Sequence, residues 1–328
     1  MTRVWYLGLL ALLLVAMSAS LLLGYRQVSP LALLSWSQDA VLRHLILEYR
    51  LPRMLIAPLC GAALAVAGGL LQSLTRNPLA APDVLGVNAA ASCSVVLALY
   101  LWPELALGWL NLLAFVSALL MTQLLLWLVG PQGERHSLLR LPLLGTVLAM
   151  LFSALTQTLI TLDPSTQDQA LSWLTGNIAG RSLLQLLAAF PLWLLAGVLL
   201  WRLCRQLDLF YLGDSQIRTL GQDPLALRRQ GVVVASLLVA GVVAVIGPLG
   251  FVGLLVPRMA RRLAAEGHRH WLPLAAVLGA LLLTLADLLA RFICYPEDIP
   301  AGVVTALLGG PLFLYLLYRQ RGGIHDVR

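Results

Sequence analysis

Nine stretches of this chain contain no Asp, Glu, Lys or Arg: 4–25, 54–75, 84–103, 105–133, 141–162, 182–201, 230–257, 271–286 and 299–318. A hydrocarbon core of about 30 Å is crossed by roughly 20 apolar helical residues, so most of these runs match one crossing. Charged residues make up 11% of the 328 positions, against about 25% in a soluble domain. With no water to satisfy the backbone inside lipid, such runs span as helices. The pattern predicts an all-α polytopic membrane protein and excludes a soluble fold.

The formal charge is +7, from 22 basic residues against 15 acidic ones, and every basic residue is arginine. Without lysine the chain cannot contain the phosphate loop G-x-x-x-x-G-K-[ST] or form a lysine Schiff base. Any ATP that drives it is bound by another chain. The arginines lie between apolar runs, which fits lipid topology and not nucleic acid. Cys60, Cys93, Cys204 and Cys294 form no C-x-x-C pair, so no disulfide framework or zinc site is indicated and small packing roles are expected. The first run, 22 residues, exceeds the 7–15 residue core of a signal peptide and is expected to stay as a helix.

Arginine placement sets the topology, because short cytoplasmic loops carry the basic excess. Segment 202–229 holds Arg202, Arg205, Arg218, Arg228 and Arg229, and 258–270 holds Arg258, Arg261, Arg262 and Arg269. If both are cytoplasmic, the chain between them crosses an even number of times. The 28-residue run 230–257 is then two helices broken at Gly247-Pro248-Leu249-Gly250, one ending near Ile246 and the next covering about Phe251 to Ala265. The expectation becomes ten helices with both termini cytoplasmic, in one permease domain over 1–328. Sixteen arginines then lie inside, and six lie outside or at outer helix ends: Arg26, Arg43, Arg50, Arg53, Arg181 and Arg291.

No G-x-S-x-G, H-E-x-x-H or intramembrane histidine pair is present, so neither catalysis nor a metal site is expected. His268 and His270 flank Arg269 in a basic loop and read as solvated charge. Gly61, Ala65 and Gly69 recur every four residues, a spacing that lets helices approach closely. That helix leaves through Asn77-Pro78-Leu79-Ala80-Ala81-Pro82, expected as a bend at the inner face. Between Gly213 and Gly221 the spacing predicts a short amphipathic helix, with Ile217 and Leu220 on one side and Asp214 and Arg218 available to solvent or a partner.

Taken together, R-L-P-R, G-A-A-L-A-V-A-G-G-L-L-Q, N-P-L-A-A-P-D-V-L-G-V-N, Y-L-G-D-S-Q-I-R-T-L-G, G-P-L-G-F-V-G-L-L-V-P-R, L-A-D-L-L-A-R and I-P-A-G-V-V-T-A-L-L-G-G-P resemble the FecCD family over residues 50–311. These are permease subunits of binding-protein-dependent ABC importers for iron-siderophores, haem and vitamin B12. E-Y-R-L-P-R and W-L-T-G bring the resemblance nearest to ferric-citrate permeases. The resemblance implies the type II importer permease fold in a bacterial inner membrane, with no cofactor bound by this chain. It also implies a second permease, identical or a paralogue, two ATP-binding subunits that use ATP and magnesium, and a periplasmic binding protein.

By position, the resemblance gives Arg50, Arg53 and Arg291 as the docking surface for that binding protein. It gives Asn77 and Leu79 as a cytoplasmic gate, with Leu138 and Leu139 as its second position. Within the cytoplasmic loop 202–229, it gives Leu212, Gly213, Asp214, Arg218, Leu220 and Gly221 as the contact to the ATPase. Guanidinium suits docking because its planar fork pairs bidentately with a carboxylate, although such arginines also snorkel at interfaces. Asp287, four residues before Arg291, could simply neutralise it. As an intramembrane carboxylate, it also leaves open a proton-coupled secondary carrier.

Overall fold

The computed structural model describes residues 2–24, 39–130, 134–264, 267–294 and 297–321. Along the chain, α1 (Thr2–Leu22) precedes a short α2 (Ala40–His44). A π-helical turn (Leu45–Arg50) then leads into α3 (Leu51–Thr75). A 3-10 turn (Pro82–Leu85) introduces α4 (Val87–Leu101), followed by α5 (Leu107–Val129), α6 (Glu134–Leu162) and α7 (Pro164–Leu174). Next come α8 (Leu183–Leu207), a 3-10 turn (Asp208–Tyr211), α9 (Asp214–Thr219) and α10 (Pro224–Ile246). The last three are α11 (Val252–Leu263), α12 (His268–Ile293) and α13 (Ala301–Arg321). Seven of these segments are long and apolar enough to cross a membrane, and α4 and α13 supply shorter apolar helices. The twelve-residue α11 carries Arg258, Arg261 and Arg262 and is not among the apolar helices.

The core forms around α3, which packs against α12, α10 and α11. The small residues expected at its contacts are there. Gly61 and Gly279 touch backbone to backbone, so a methyl group on either would overlap the other's carbonyl. Gly69 lies beneath the Trp271 ring, and Gly68 meets the backbone of Gly253 on α11.

The expected break of the 28-residue run is present. α10 ends at Ile246, Gly247 takes φ +84°, and α11 starts at Val252. Phe251 also sits at positive φ, +67°, a costly conformation for a bulky residue, and its ring fills the space beside Gly309.

The expected inner-face bend takes a different course. After Arg76 the chain doubles back, so that Pro82 packs on Gly253 beside Leu64 and the Val84 carbonyl packs on Gly145. Leu64 lies eleven residues above the inner end of α3, about 16 Å at the helical rise. The segment therefore re-enters to mid-depth, where irregular backbone is tolerated because protein surrounds it. Gly86, at φ +70°, then turns the chain into α4, whose 15 residues fall short of the 20-residue run. Asp83 reaches the same depth, accepting from Asn88 Nδ2 and lying next to Gly250, so Asp287 is not alone as a carboxylate at membrane depth.

Candidate functional site

The segment expected to contact the ATPase is built on local turn chemistry. Gly213, at φ +108°, breaks the chain before α9, and Gly221, at φ +76°, closes it, with Gln222 N donating to Ile217 O at 3.1 Å. Ile217 is fully buried and anchors the helix, while Leu212 and Leu220 are 54% and 58% exposed. The expectation that Ile217 and Leu220 share a side is corrected: Leu220 caps the six-residue helix from outside it and turns away. Arg218 lies on the exposed surface.

Asp214 departs most from expectation. Its carboxylate, 12% exposed, turns into the protein and does not face solvent. Arg76 Nη2 donates to Oδ1 at 2.6 Å, and Arg228 Nη2 donates to Oδ1 at 2.8 Å and Oδ2 at 2.6 Å. Arg76 is the left-handed C-cap of α3 (φ +50°) and directly precedes Asn77. It also donates through Nε to Phe210 O at 3.1 Å. Arg228, on α10, reaches Leu74 O at 3.3 Å and lies over the Phe210 ring. Among the expected gate residues, Asn77 Oδ1 accepts from Leu79 N at 2.9 Å, forming a turn that leaves Leu79 42% exposed. Leu138 and Leu139 fall in α6, but their side chains lie outside the described residues.

His268 is not a solvated loop residue. It is fully buried, with Nδ1 2.6 Å from Asp208 Oδ1 and Nε2 2.8 Å from Ser73 Oγ. Its ring sits about midway between those of Tyr211 and Trp271, at 5.2 and 5.1 Å. It ties the start of α12 to the end of α3 and to the turn that leads into α9.

At the opposite end of α3, Arg50, Arg53 and Arg291 come together. Arg53 donates to Asp287 Oδ1 through Nε at 3.2 Å and Nη2 at 2.8 Å, and through Nη1 to Asp298 at 2.5 Å. Arg291 pairs with the other oxygen of Asp287 and donates to Ser20 O and Oγ at 2.8 and 2.7 Å. Arg50 donates to Leu21 O and Leu22 O at 2.6 and 2.9 Å. Two guanidinium groups thus cap the end of α1, satisfying carbonyls that a helix terminus leaves unpaired. Asp287 is buried in the cluster, whereas the Asp298 side chain is 39% exposed.

Sequence reasoning missed Arg76, Arg228, Ser73 and Asp208. Arg76 and Arg228 counted only as inner-face charge, since their shared partner is distant in the chain.

A bundle of membrane helices with a turn at one end clamped to a short surface helix is organised as a permease moved by other subunits. The chain belongs to the FecCD transport family, whose model matches residues 12–319. It is 43% identical over 303 residues to the Fe(3+) dicitrate transport system permease protein FecD of Escherichia coli, covering 92% of this chain and 94% of that one. It is 36% identical to the probable siderophore transport system permease protein YfiZ of Bacillus subtilis (95% and 94% covered). The hemin transport system permease protein HmuU of Yersinia pestis matches at the same identity (96% of each chain). A solved ABC transporter described as of metal-chelate type, in an inward-facing conformation, superposes with a TM-score of 0.84 at 31% identity, covering 97% and 99%. The chain is accordingly a transport subunit and not an enzyme, and ATP hydrolysis belongs to separate subunits. These matches fit the importer reading and not a proton-coupled carrier.

Proposed function

We propose that this chain is one of two permease subunits of a bacterial inner-membrane importer for an iron(III) siderophore of the citrate type. The relatives of known cargo support the substrate class, with the ferric dicitrate permease covering nearly the whole chain. A second permease completes the pathway, two ATP-binding subunits use ATP and magnesium at the inner face, and a periplasmic binding protein delivers the chelate outside. Both termini then lie in the cytoplasm.

One observation carries the mechanism: Asp214, the first residue of the coupling helix, is held by Arg76 beside the Asn77–Leu79 turn and by Arg228 on α10. A displacement of α9 by an ATPase is delivered through charge-assisted bonds, the stronger kind of hydrogen bond, to the gate without passing through flexible chain. Exposed Leu212 and Leu220 supply the apolar contact to the ATPase, Gly213 and Gly221 frame it, and Arg218 flanks it. Leu79, Leu138 and Leu139 close the inner end. ATP favours one orientation of the pathway through differential contacts with the two states. Arg50, Arg53 and Arg291 shape the outer docking site, where the exposed Asp298 is the partner of Arg53 that an incoming carboxylate exchanges with.

The test is Asp214→Asn in the reconstituted importer. It keeps the shape of the residue and removes its charge. Chelate uptake is expected to fall more than about tenfold while ATP hydrolysis continues, a loss in line with one charge-assisted bond. Uptake at the parental rate in both Asp214→Asn and Arg76→Gln would refute the transmission.

A further inference from the structure

Among the outer arginines with no part in docking or in capping α1, Arg181 is the buried one among the described residues. Arg181 lies in the non-helical stretch between α7 and α8, at the far end of α10 from the coupling helix, since Gly247 there abuts the Trp173 carbonyl. It is 6% exposed, and among the described residues no carboxylate pairs with it. Its single acceptor is the Asn177 carbonyl, reached by Nε at 3.1 Å. Burial lowers its pKa to about 10, so it remains a cation at neutral pH.

Arg181 lines a cavity of about 550 Å³ beneath the ends of α4 and α5. Its two terminal nitrogens are not sealed in protein. On the same wall, Trp173 is 4% exposed and its Nε1–H has no acceptor. Asn177 commits its side-chain oxygen to Ala179 N at 2.9 Å, leaving its amide hydrogens for a ligand. Gln169 and Ser172 complete the polar lining, and exposed Asp168 stands at the edge.

A buried cation without a counter-ion costs free energy, and an unpaired buried N–H adds to that cost. Of these, Arg181 lines a cavity within the usual size range for small-molecule sites, while Trp173 Nε1 is sealed from it. We propose that this cavity binds a small polycarboxylate anion, with Arg181 gripping one carboxylate bidentately and the Asn177 amide donating to the ligand. The guanidinium fork matches the two oxygens of a carboxylate, and the start of α8 directly after Ser182 adds the positive end of a helix dipole. Asp168, exposed at the edge, opposes the bound anion. The proposal rests on the importer reading only for the side from which the anion arrives.

Binding of radiolabelled citrate to the full-length chain in lipid nanodiscs tests it without any need for transport. Saturable binding is expected, weakened at least tenfold in Arg181→Gln and several-fold in Asn177→Asp, which keeps the acceptor for Ala179 N and removes the amide donors. Arg181→Lys is expected to recover part of the loss, and Asp168→Asn to bind more tightly. No saturable binding by the unaltered chain up to about 10 mM, a range reaching affinities weaker than −4 kcal/mol, would overturn the site. So would binding unchanged in both Arg181→Gln and Asn177→Asp. Intact citrate binding in a reconstituted complex that shows no ATP-driven uptake would count against the importer reading and leave this site standing.

Discussion

Asp287 joins three elements through one carboxylate: Arg53 from α3, Arg291 from its own helix and, through Arg291, the end of α1. Removing one member of a buried charge cluster leaves the others uncompensated, at a cost of about 3–5 kcal/mol. Asp287→Ala is therefore expected to lose folded, monodisperse protein on size-exclusion chromatography, and Asp298→Ala, at the exposed edge, to keep it. Docking is better tested at Asp298 than by reversing all three arginines, because three glutamates around Asp287 would also unseat α1. Asp298→Asn frees Arg53 Nη1, so binding-protein-stimulated ATP hydrolysis should reach half-maximum at a lower binding-protein concentration. An unchanged midpoint would assign Arg53 to internal bracing alone. The i,i+4 pairing of Asp287 with Arg291 was legible in the sequence, since it depends only on helical spacing. The burial of His268 was not, because its partners Asp208 and Ser73 lie 60 and 195 residues away and nothing local marks them.

Among the helices, backbone contact between α3 and α12 sets how closely the core closes. Gly61→Ala forces its Cβ into the Gly279 carbonyl, and overpacking of this kind costs about 1–3 kcal/mol. Gly8→Ala is the matched control. Nothing lies within 4 Å of a Cβ there, and Ala is favoured over Gly inside a helix by about 1 kcal/mol. Thermal unfolding in detergent should show a lower midpoint for Gly61→Ala and an equal or higher one for Gly8→Ala; equal midpoints would mean that α3 and α12 can separate freely. The break between α10 and α11 could be read in advance because two arginine clusters demanded an even number of crossings. The return of residues 76–86 to mid-depth could not. Its cause is packing on Gly253 and Gly145, and an uncharged run such as 77–82 looks alike whether it ends at a membrane surface or halfway across.

For the whole molecule, the exposed apolar side chains divide by chemistry. Leu184, Leu187, Leu194 and Trp201 on α8 are 60–76% exposed, as lipid-facing residues should be. Tyr211, Leu212 and Leu220 are 54–62% exposed on a polar segment, which fits the proposed contact with the ATPase. Leu212→Glu with Leu220→Glu is expected to reduce co-purification of the ATPase subunits at least tenfold and to leave the permease in the membrane. Full recovery of the ATPase would move its seat elsewhere. The two short helices also have an electrostatic consequence. α4 and α11 both begin near the middle of the bilayer, so each places the positive end of a helix dipole there, about half an elementary charge. Asp83 lies between those two ends, bonded by Asn88 on one side and next to Gly250 on the other. Two positive helix ends thus act on one acidic side chain, so at the least polar depth of the membrane that carboxyl group is met by backbone and the Asn88 amide and not by a cationic side chain.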